Sequence, residues 1–107
     1  MPSFKLARRT AVIVFEDGDY VGAEARIYLD QRMGDFLILQ RAALEGDIEQ
    51  LCRFLASALI EWNLVDEEGS IPADYTGVLR LPPLLIMGII TKWMEAQTAI
   101  TPPLGRQ

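Results

Sequence analysis

The sequence predicts an α+β fold in which an N-terminal antiparallel β-hairpin is followed by a small bundle of three to four helices. Three observations predict it: period-two alternation near the N-terminus, apolar residues at three- and four-residue steps through the middle, and a proline pair before a long apolar segment. At 107 residues the chain is long enough for one core and too short for two. We therefore expect residues 1–107 to form a single domain.

The hairpin is predicted over about residues 11–29. The run "AVIVF" is β-branched and aromatic, and after "EDGDY" apolar residues alternate with polar or small ones. Asp17-Gly18 supplies the positive φ angles of a tight turn, so the two strands should pair in antiparallel fashion. An isolated hairpin is only marginally stable, which requires its apolar face to pack on the helices or on another strand. That face comprises Val21, Ala23, Ala25, Ile27 and Leu29.

Helical spacing begins after Asp30. The first helix is expected at about 34–44, with Asp35 as the N-cap candidate and Gly46 as its end. Apolar residues recur near one side of this helix, at Met33, Phe36, Leu37, Leu39 or Gln40, and Leu44.

The second helix is expected at about 47–62 and has the clearest pattern in the chain. Asp47 is its N-cap, and Gln50 three residues later completes a pair similar to a capping box. We assign Trp62 as a structural anchor, because it closes the apolar stripe of this helix. The stripe comprises Ile48, Leu51, Cys52, Leu55, Leu59 and Trp62.

Residues 63–75 are rich in Asp, Glu, Gly, Ser and Pro and are predicted to be a loop, followed by a short helical turn at about 76–81. Three acids stand in a row in this loop, at Asp66, Glu67 and Glu68. A calcium loop alternates its ligands so that they converge, whereas consecutive acids point in different directions. These acids are therefore expected to be solvated.

Pro82-Pro83 suits the first turn of a helix, which places the last helix at about 83–97. Its apolar residues cover most of the circumference, so it is either central to the core or shared with a partner. The tail at 98–107 is expected to be flexible or to dock only in an assembly. The candidate partner-binding residues on the last helix are Leu84, Leu85, Met87, Ile90, Trp93 and Met94.

The composition excludes most kinds of chemistry. The net charge is −5 and the ten Lys and Arg residues are scattered, which argues against nucleic acid as a partner. The chain has no His and a single Cys, Cys52, so zinc sites, the commonest general base and an intramolecular disulfide are all ruled out. No serine lies in a nucleophile elbow and no glycines form a phosphate loop. We expect no enzyme, no metal and no cofactor.

The location expected from the sequence is the cytoplasm. The N-terminal segment "MPSFKLARRT" lacks the apolar stretch of a secretory signal, and the longest apolar run, "LPPLLIMGII", is far too short for a membrane span. Half of the residues are nevertheless hydrophobic. This surplus predicts contact with another chain, and we expect a homo-oligomer.

Three segments resemble a known family. "FEDGDYVGAEARIYL", "ALIEWNLVDEEGSIPADYTGVLRLPPLLIMGIITKW" and the terminal "PPLG" are similar to the small tail assembly chaperones of long-tailed bacteriophages and prophages, especially those of actinobacterial hosts. The features that carry the resemblance are Gly22 after the turn, the segment from Trp62 to Pro72, and Trp93. It covers about residues 12–104, and the stretch "ADYTG" before the last helices departs from the family pattern.

The resemblance implies a function without catalysis. Proteins of this family bind the long, helical, apolar tape measure protein in the infected cell, keep it soluble, and give way as the tail tube protein polymerises around it. The resemblance also implies a second product lengthened by a ribosomal frameshift near the C-terminus.

Two other hypotheses stay open at this point. The chain could be a permanent virion component, such as a tail-completion or connector protein whose hairpin extends the sheet of a neighbour. It could also be a small regulatory module that binds a host protein, although no specific feature of the sequence favours that function.

Overall fold

A computed structural model describes residues 1–99 and confirms the α+β fold. A three-stranded antiparallel sheet of order β1-β2-β3 packs with four helices, and a second, two-stranded sheet forms a small hairpin. The strands are β1 (Thr10–Val14), β2 (Glu24–Tyr28), β3 (Leu59–Trp62), β4 (Val65–Asp66) and β5 (Gly69–Ser70). The helices are α1 (Met33–Glu45), α2 (Ile48–Ala58), α3 (Tyr75–Val78) and α4 (Pro83–Thr98).

The first two strands form the predicted antiparallel hairpin, with Val12 opposite Arg26. Alternation places Ile13 of β1 and Ala25 and Ile27 of β2 on the buried face, as expected for a strand with one face on a core. The opposite face of these strands is exposed and carries Val12 and Arg26. The predicted face of the second strand is thus correct from Ala25 onwards.

The connection between these strands is longer than the predicted tight turn at Asp17-Gly18. It contains a 3₁₀ turn at Gly18–Tyr20. The backbone N–H of Phe15 donates to the carbonyl of Ala23 at 3.0 Å, which closes the hairpin beyond the turn. Val21 lies in this connection and is 63% exposed, so its expected place on the packed face was wrong. A two-residue turn would have required strand pairing up to residue 16, where the segment 16–19 consists only of acidic residues and glycine.

The first helix has the predicted end but not the predicted start. It begins at Met33, and Asp35 lies in its first turn, where a carboxylate complements the helix dipole, rather than at the N-cap. Gly46 ends the helix in the left-handed conformation at φ 71°, and its N–H reaches the carbonyl of Ala42. The Asp47 side chain then accepts the N–H of Gln50 at 3.2 Å, which confirms the N-cap of α2.

The helix expected at 47–62 ends at Ala58, and the chain continues as β3. Leu59 caps the helix with extended backbone angles and pairs with Ile27 across the sheet. A β-bulge lies at this point between Arg26 and Ile27. The helix ends here because the edge of β2 is open for pairing. A strand that pairs with this edge buries Leu59 against the sheet. The third strand was not predicted.

The segment expected to be a loop contains the β4–β5 hairpin and leads into α3, which is shorter than the turn predicted at 76–81. The Asp74 carboxylate caps α3 by accepting the N–H of Gly77 at 2.9 Å. A Cβ atom at Gly77 would overlap the carbonyl oxygen of Pro72, so only glycine permits this close approach.

The last helix starts at Pro83 with Pro82 as its N-cap, as predicted, and ends at Thr98. Thr98 therefore belongs to the helix and not to the expected tail, and residues 100–107 of that tail lie outside the described residues. Helix α2 packs against α1, α3 and α4, while α4 also covers β1. Together the sheet and helices enclose one core, with its largest fully buried side chains at Trp93, Ile27, Leu39, Leu51, Leu55, Ile89, Ile90 and Val78.

Candidate protein-binding surface

Helix α1 carries an apolar stripe that no part of residues 1–99 covers. Met33, Leu37 and Leu44 recur at steps of four and seven residues, which places them on one side of the helix. All three are exposed, and Leu44 is exposed over 89% of its surface. The residues of α1 that enter the core are Leu39 and Ala42, on a different side of the same helix.

Helix α4 carries a matching stripe. Leu84, Met87 and Met94 recur at steps of three and seven residues and lie on one side, away from the buried indole of Trp93. Leu84 is 68% exposed, Met87 is also exposed, and Met94 is half-buried. This stripe therefore combines two exposed side chains with one that is partly packed.

The two stripes meet at a shallow depression. It is lined by Gln40, Ala43 and Leu44 from α1 and by Met94 from α4. We call the combined feature the α1–α4 surface, comprising Met33, Leu37, Leu44, Leu84, Met87 and Met94. All methionines of the chain except Met1 lie on it. Methionine adapts its shape to irregular partners, so this surface is suited to binding apolar segments of variable sequence.

The six partner-binding candidates of the sequence divide into two groups. Leu84, Met87 and Met94 belong to the α1–α4 surface. The other three, Leu85, Ile90 and Trp93, are at most 5% exposed and form part of the core of this chain. The expectation that all six face a partner is corrected accordingly, because only one side of α4 turns away from the sheet and the other helices.

The contribution of α1 to this surface was missed. Its apolar residues were grouped on one side, although they occupy two. The step from Leu39 to Ala42 marks the core side, and the spacing of Met33, Leu37 and Leu44 marks the exposed side. That second spacing is the signal that could have separated the two.

The predicted anchor Trp62 lies at the end of β3 and not on a helix. It is half-buried, it lies opposite Ala25, and its Nε1–H donates to the carbonyl of Ile71 at 2.7 Å. The next residue, Asn63, bridges to the first hairpin, since its side chain accepts the N–H of Glu24 and donates to the carbonyl of Gly22. Trp62 thus joins the sheet to the segment that leads into α3.

Several ionisable side chains in the described part of the chain form ion pairs. The guanidinium of Arg9 binds Asp30 at 2.7 Å and lowers the pKa of that carboxyl to about 2. Arg80 binds Asp66 at 2.6 Å and lowers its pKa too. Burial raises the pKa of the Cys52 thiol, which keeps it protonated and unreactive.

Within residues 1–99, no group of three or more acids and cysteines is placed to hold a metal ion. None of the helices in that range has the length and apolar character needed to cross a membrane. None of the protein-family models, curated proteins or solved structures with which the chain was compared matches it.

Proposed function

We propose that this chain is a tail assembly chaperone of a long-tailed bacteriophage. It is a non-enzymatic protein that binds the tape measure protein in the cytoplasm of the host cell, keeps it soluble, and yields it as the tail tube protein polymerises. The proposal joins the sequence resemblance to one structural observation, which is the α1–α4 surface.

The α1–α4 surface supports the proposal through its chemistry. Leucine and methionine side chains at helical spacing on two adjacent helices offer an apolar face to an amphipathic helix of another protein. Tape measure proteins are long, helical and apolar, so they present many such segments in succession. Exposed apolar residues in this number on a small domain stabilise nothing in the isolated chain, and a bound client would remove them from water.

The charge of the chain supports the same function. A net charge of −5 keeps a complex with an apolar client soluble, because the coated client repels other coated clients. Each copy needs only modest affinity, since many copies bind along one long client and gain from multivalency. Modest affinity per copy also allows the growing tube to displace the copies one after another.

Co-expression with the tape measure protein tests the proposal. We expect the wild-type chain to raise the soluble fraction of that client several-fold and to elute with it in size-exclusion chromatography. The double variant Leu44→Lys/Leu84→Asp should lose both effects. Both substitutions suit the helix dipole, because the lysine lies in the last turn of α1 and the aspartate in the first turn of α4.

A matched control separates the surface from general changes in exposure and charge. Val21→Asp/Val65→Lys alters two valines that are 63% and 69% exposed and lie outside the α1–α4 surface. Like the test variant, it leaves the net charge unchanged. The control should solubilise the client as well as wild type does. Equal activity of the two double variants would remove the α1–α4 surface from the proposal, and an insoluble client with the wild-type chain would refute the chaperone function itself.

A further inference from the structure

The two edges of the main sheet differ in how they are protected. The edge strand β3 carries the charged Glu61, which binds Arg26 at 2.9 Å, and its pairing with β2 contains a bulge. Charges and bulges of this kind prevent a sheet edge from pairing with another chain. The other edge strand, β1, reads Thr-Ala-Val-Ile-Val from Thr10 to Val14 and contains no charge, no proline and no bulge.

Backbone groups of β1 point outward from this edge. The carbonyl of Arg9 accepts the N–H of Leu29 at 2.8 Å, and the N–H of Phe15 donates to Ala23, so the odd-numbered residues bond to β2. In an antiparallel ladder alternate residues face opposite ways. The N–H and C=O groups of Thr10, Val12 and Val14 therefore face the open edge, where no part of residues 1–99 pairs with them.

We propose that β1 pairs with β1 of a second copy, antiparallel about a two-fold axis at Val12, and so joins two sheets into one of six strands. A residue whose backbone groups face outward can exchange both hydrogen bonds with its own symmetry mate. This register places Val12 opposite Val12 and Thr10 opposite Val14 of the partner subunit. The dimer is independent of the α1–α4 surface and goes beyond the proposed chaperone function.

Charge complementarity selects a second copy as the occupant of this edge. The segment before β1 is basic, with Lys5, Arg8 and Arg9, and the segment after it, "EDGDY", carries three acids. Antiparallel pairing brings the basic end of each copy to the acidic end of its partner, with Arg8 opposite Glu16 of the second copy. Parallel pairing would oppose like charges and is disfavoured.

The groups that make this contact are available. Arg8 uses its Nε to bind the carbonyl of Leu29 and stacks 4.7 Å from the centre of the Tyr28 ring, while its terminal nitrogens make no hydrogen bond within residues 1–99. Phe4 and Leu6 are 87% and 83% exposed, and a partner that lies alongside this segment would remove them from water. Strands of five residues form a small contact by themselves, so we infer that the N-terminal segment contributes much of the interface.

Cysteine cross-linking of the full chain tests the register directly. Across a two-fold axis at a hydrogen-bonded pair the Cα atoms lie about 5.5 Å apart, within the range of a disulfide. Val12→Cys should therefore form a disulfide-linked dimer under mild oxidation, whereas Val65→Cys, at a site that is 69% exposed, should form no disulfide-linked dimer. The native Cys52 is buried and does not interfere. Equal dimer yields from both variants would overturn the register.

Charge exchange tests the partner and the direction of pairing. In sedimentation equilibrium we expect a monomer–dimer equilibrium of the wild-type chain that is weakened at least tenfold by Arg8→Glu and by Glu16→Arg. The double variant should recover most of the affinity.

Val12→Lys, which places two ammonium groups across the axis, should abolish the dimer, and Val65→Lys should not. A wild-type chain that is monomeric at all concentrations, or a dimer that is insensitive to Val12→Lys, would overturn the proposal. Leu44→Lys/Leu84→Asp should leave the dimer intact. A failure of the dimer proposal can therefore be distinguished from a failure of the proposed chaperone function.

Discussion

The two tryptophans of the chain are held in the same manner at different depths. Each donates its indole N–H to a backbone carbonyl, Trp93 to Tyr28 at 3.0 Å and Trp62 to Ile71 at 2.7 Å. Each acceptor also lies in a segment that forms an Arg–Asp ion pair: Asp30, two residues after Tyr28, binds Arg9, and Asp66, in the hairpin before Ile71, binds Arg80. Trp93 is fully buried, however, whereas Trp62 is half-buried.

This difference in burial indicates that the two tryptophans stabilise different parts of the fold. The ring of Trp93 lies between the backbone of α4, to which it belongs, and the end of β2. Its removal would leave a cavity in the core shared by the sheet and helices. Trp62 lies at the end of β3 and holds the short β4–β5 hairpin, whose strand residues are all exposed. The first position should govern global unfolding, and the second should govern local opening of residues 62–74.

The largest effect is expected at Trp93. Trp93→Ala removes a fully buried ring and leaves the carbonyl of Tyr28 without its donor, which should lower the free energy of unfolding by about 3–5 kcal/mol. Urea denaturation followed by circular dichroism measures this loss. Trp93→Phe is the control, because it keeps most of the packing and should cost much less. An equal loss in both variants would show that the hydrogen bond, and not the volume of the ring, is the main contribution.

A smaller effect is expected at Trp62. Trp62→Ala should cost about 2 kcal/mol, because a half-buried ring loses less contact than a fully buried one. Hydrogen exchange should show faster opening of the β4–β5 hairpin with little change in the amides of α2. Glu67→Ala is the control, since this carboxylate is exposed in the same segment and should leave the unfolding free energy unchanged. A loss at Trp62 as large as that at Trp93 would abolish the distinction between the two positions.

The segments around Trp62 and Trp93 also show how much of the fold can be predicted from the sequence. Local signals were sufficient for the two strands of the first hairpin, for the end of α1 at Gly46, for the cap at Asp47 and for the start of α4, because each depends on neighbours in the chain. The end of α2 was wrong, since Leu55, Leu59 and Trp62 continue a helical spacing. Pairing with the free edge of β2, more than 30 residues away, decides the conformation there, and local periodicity contains no information about it.

The candidate site was predicted in part for a related reason. Periodicity identifies α4 as apolar all round, but it does not tell which side the sheet covers. Leu84 and Leu85 are adjacent leucines of equal hydrophobicity, and only the packing of α4 against β1 and α2 makes one exposed and the other buried. The contribution of Leu44 on α1 depends in the same way on which side of that helix meets α2.

The smallest effect is expected from the two ion pairs, and it depends on pH. Each aspartate has a lower pKa in the folded chain than its ordinary value of 3.8, to about 2 for Asp30 because of its hydrogen bonds with Arg9. A carboxyl group with a lowered pKa in the folded state adds stability above its unfolded pKa and loses it as the pH falls. The contribution of Asp30 should therefore be complete above about pH 5 and disappear between about pH 4 and pH 2.

Asp30→Asn measures this contribution, and it preserves the backbone, because asparagine also tolerates the positive φ of 59° found at this position. The free energies of unfolding of the variant and wild type should differ at pH 7 and converge as the pH falls to 2. The side chains of Arg9 and Asp30 are 58% and 34% exposed, so 0.5 M salt should reduce the difference at pH 7. Asp66→Asn should show the same dependence on pH and salt, but its effect on stability should be confined to the β4–β5 hairpin that Trp62 holds. If the curves for Asp30→Asn and wild type run parallel from pH 7 to pH 2, the ion pair does not stabilise the end of β2, and the anchoring of that end rests on Trp93 alone.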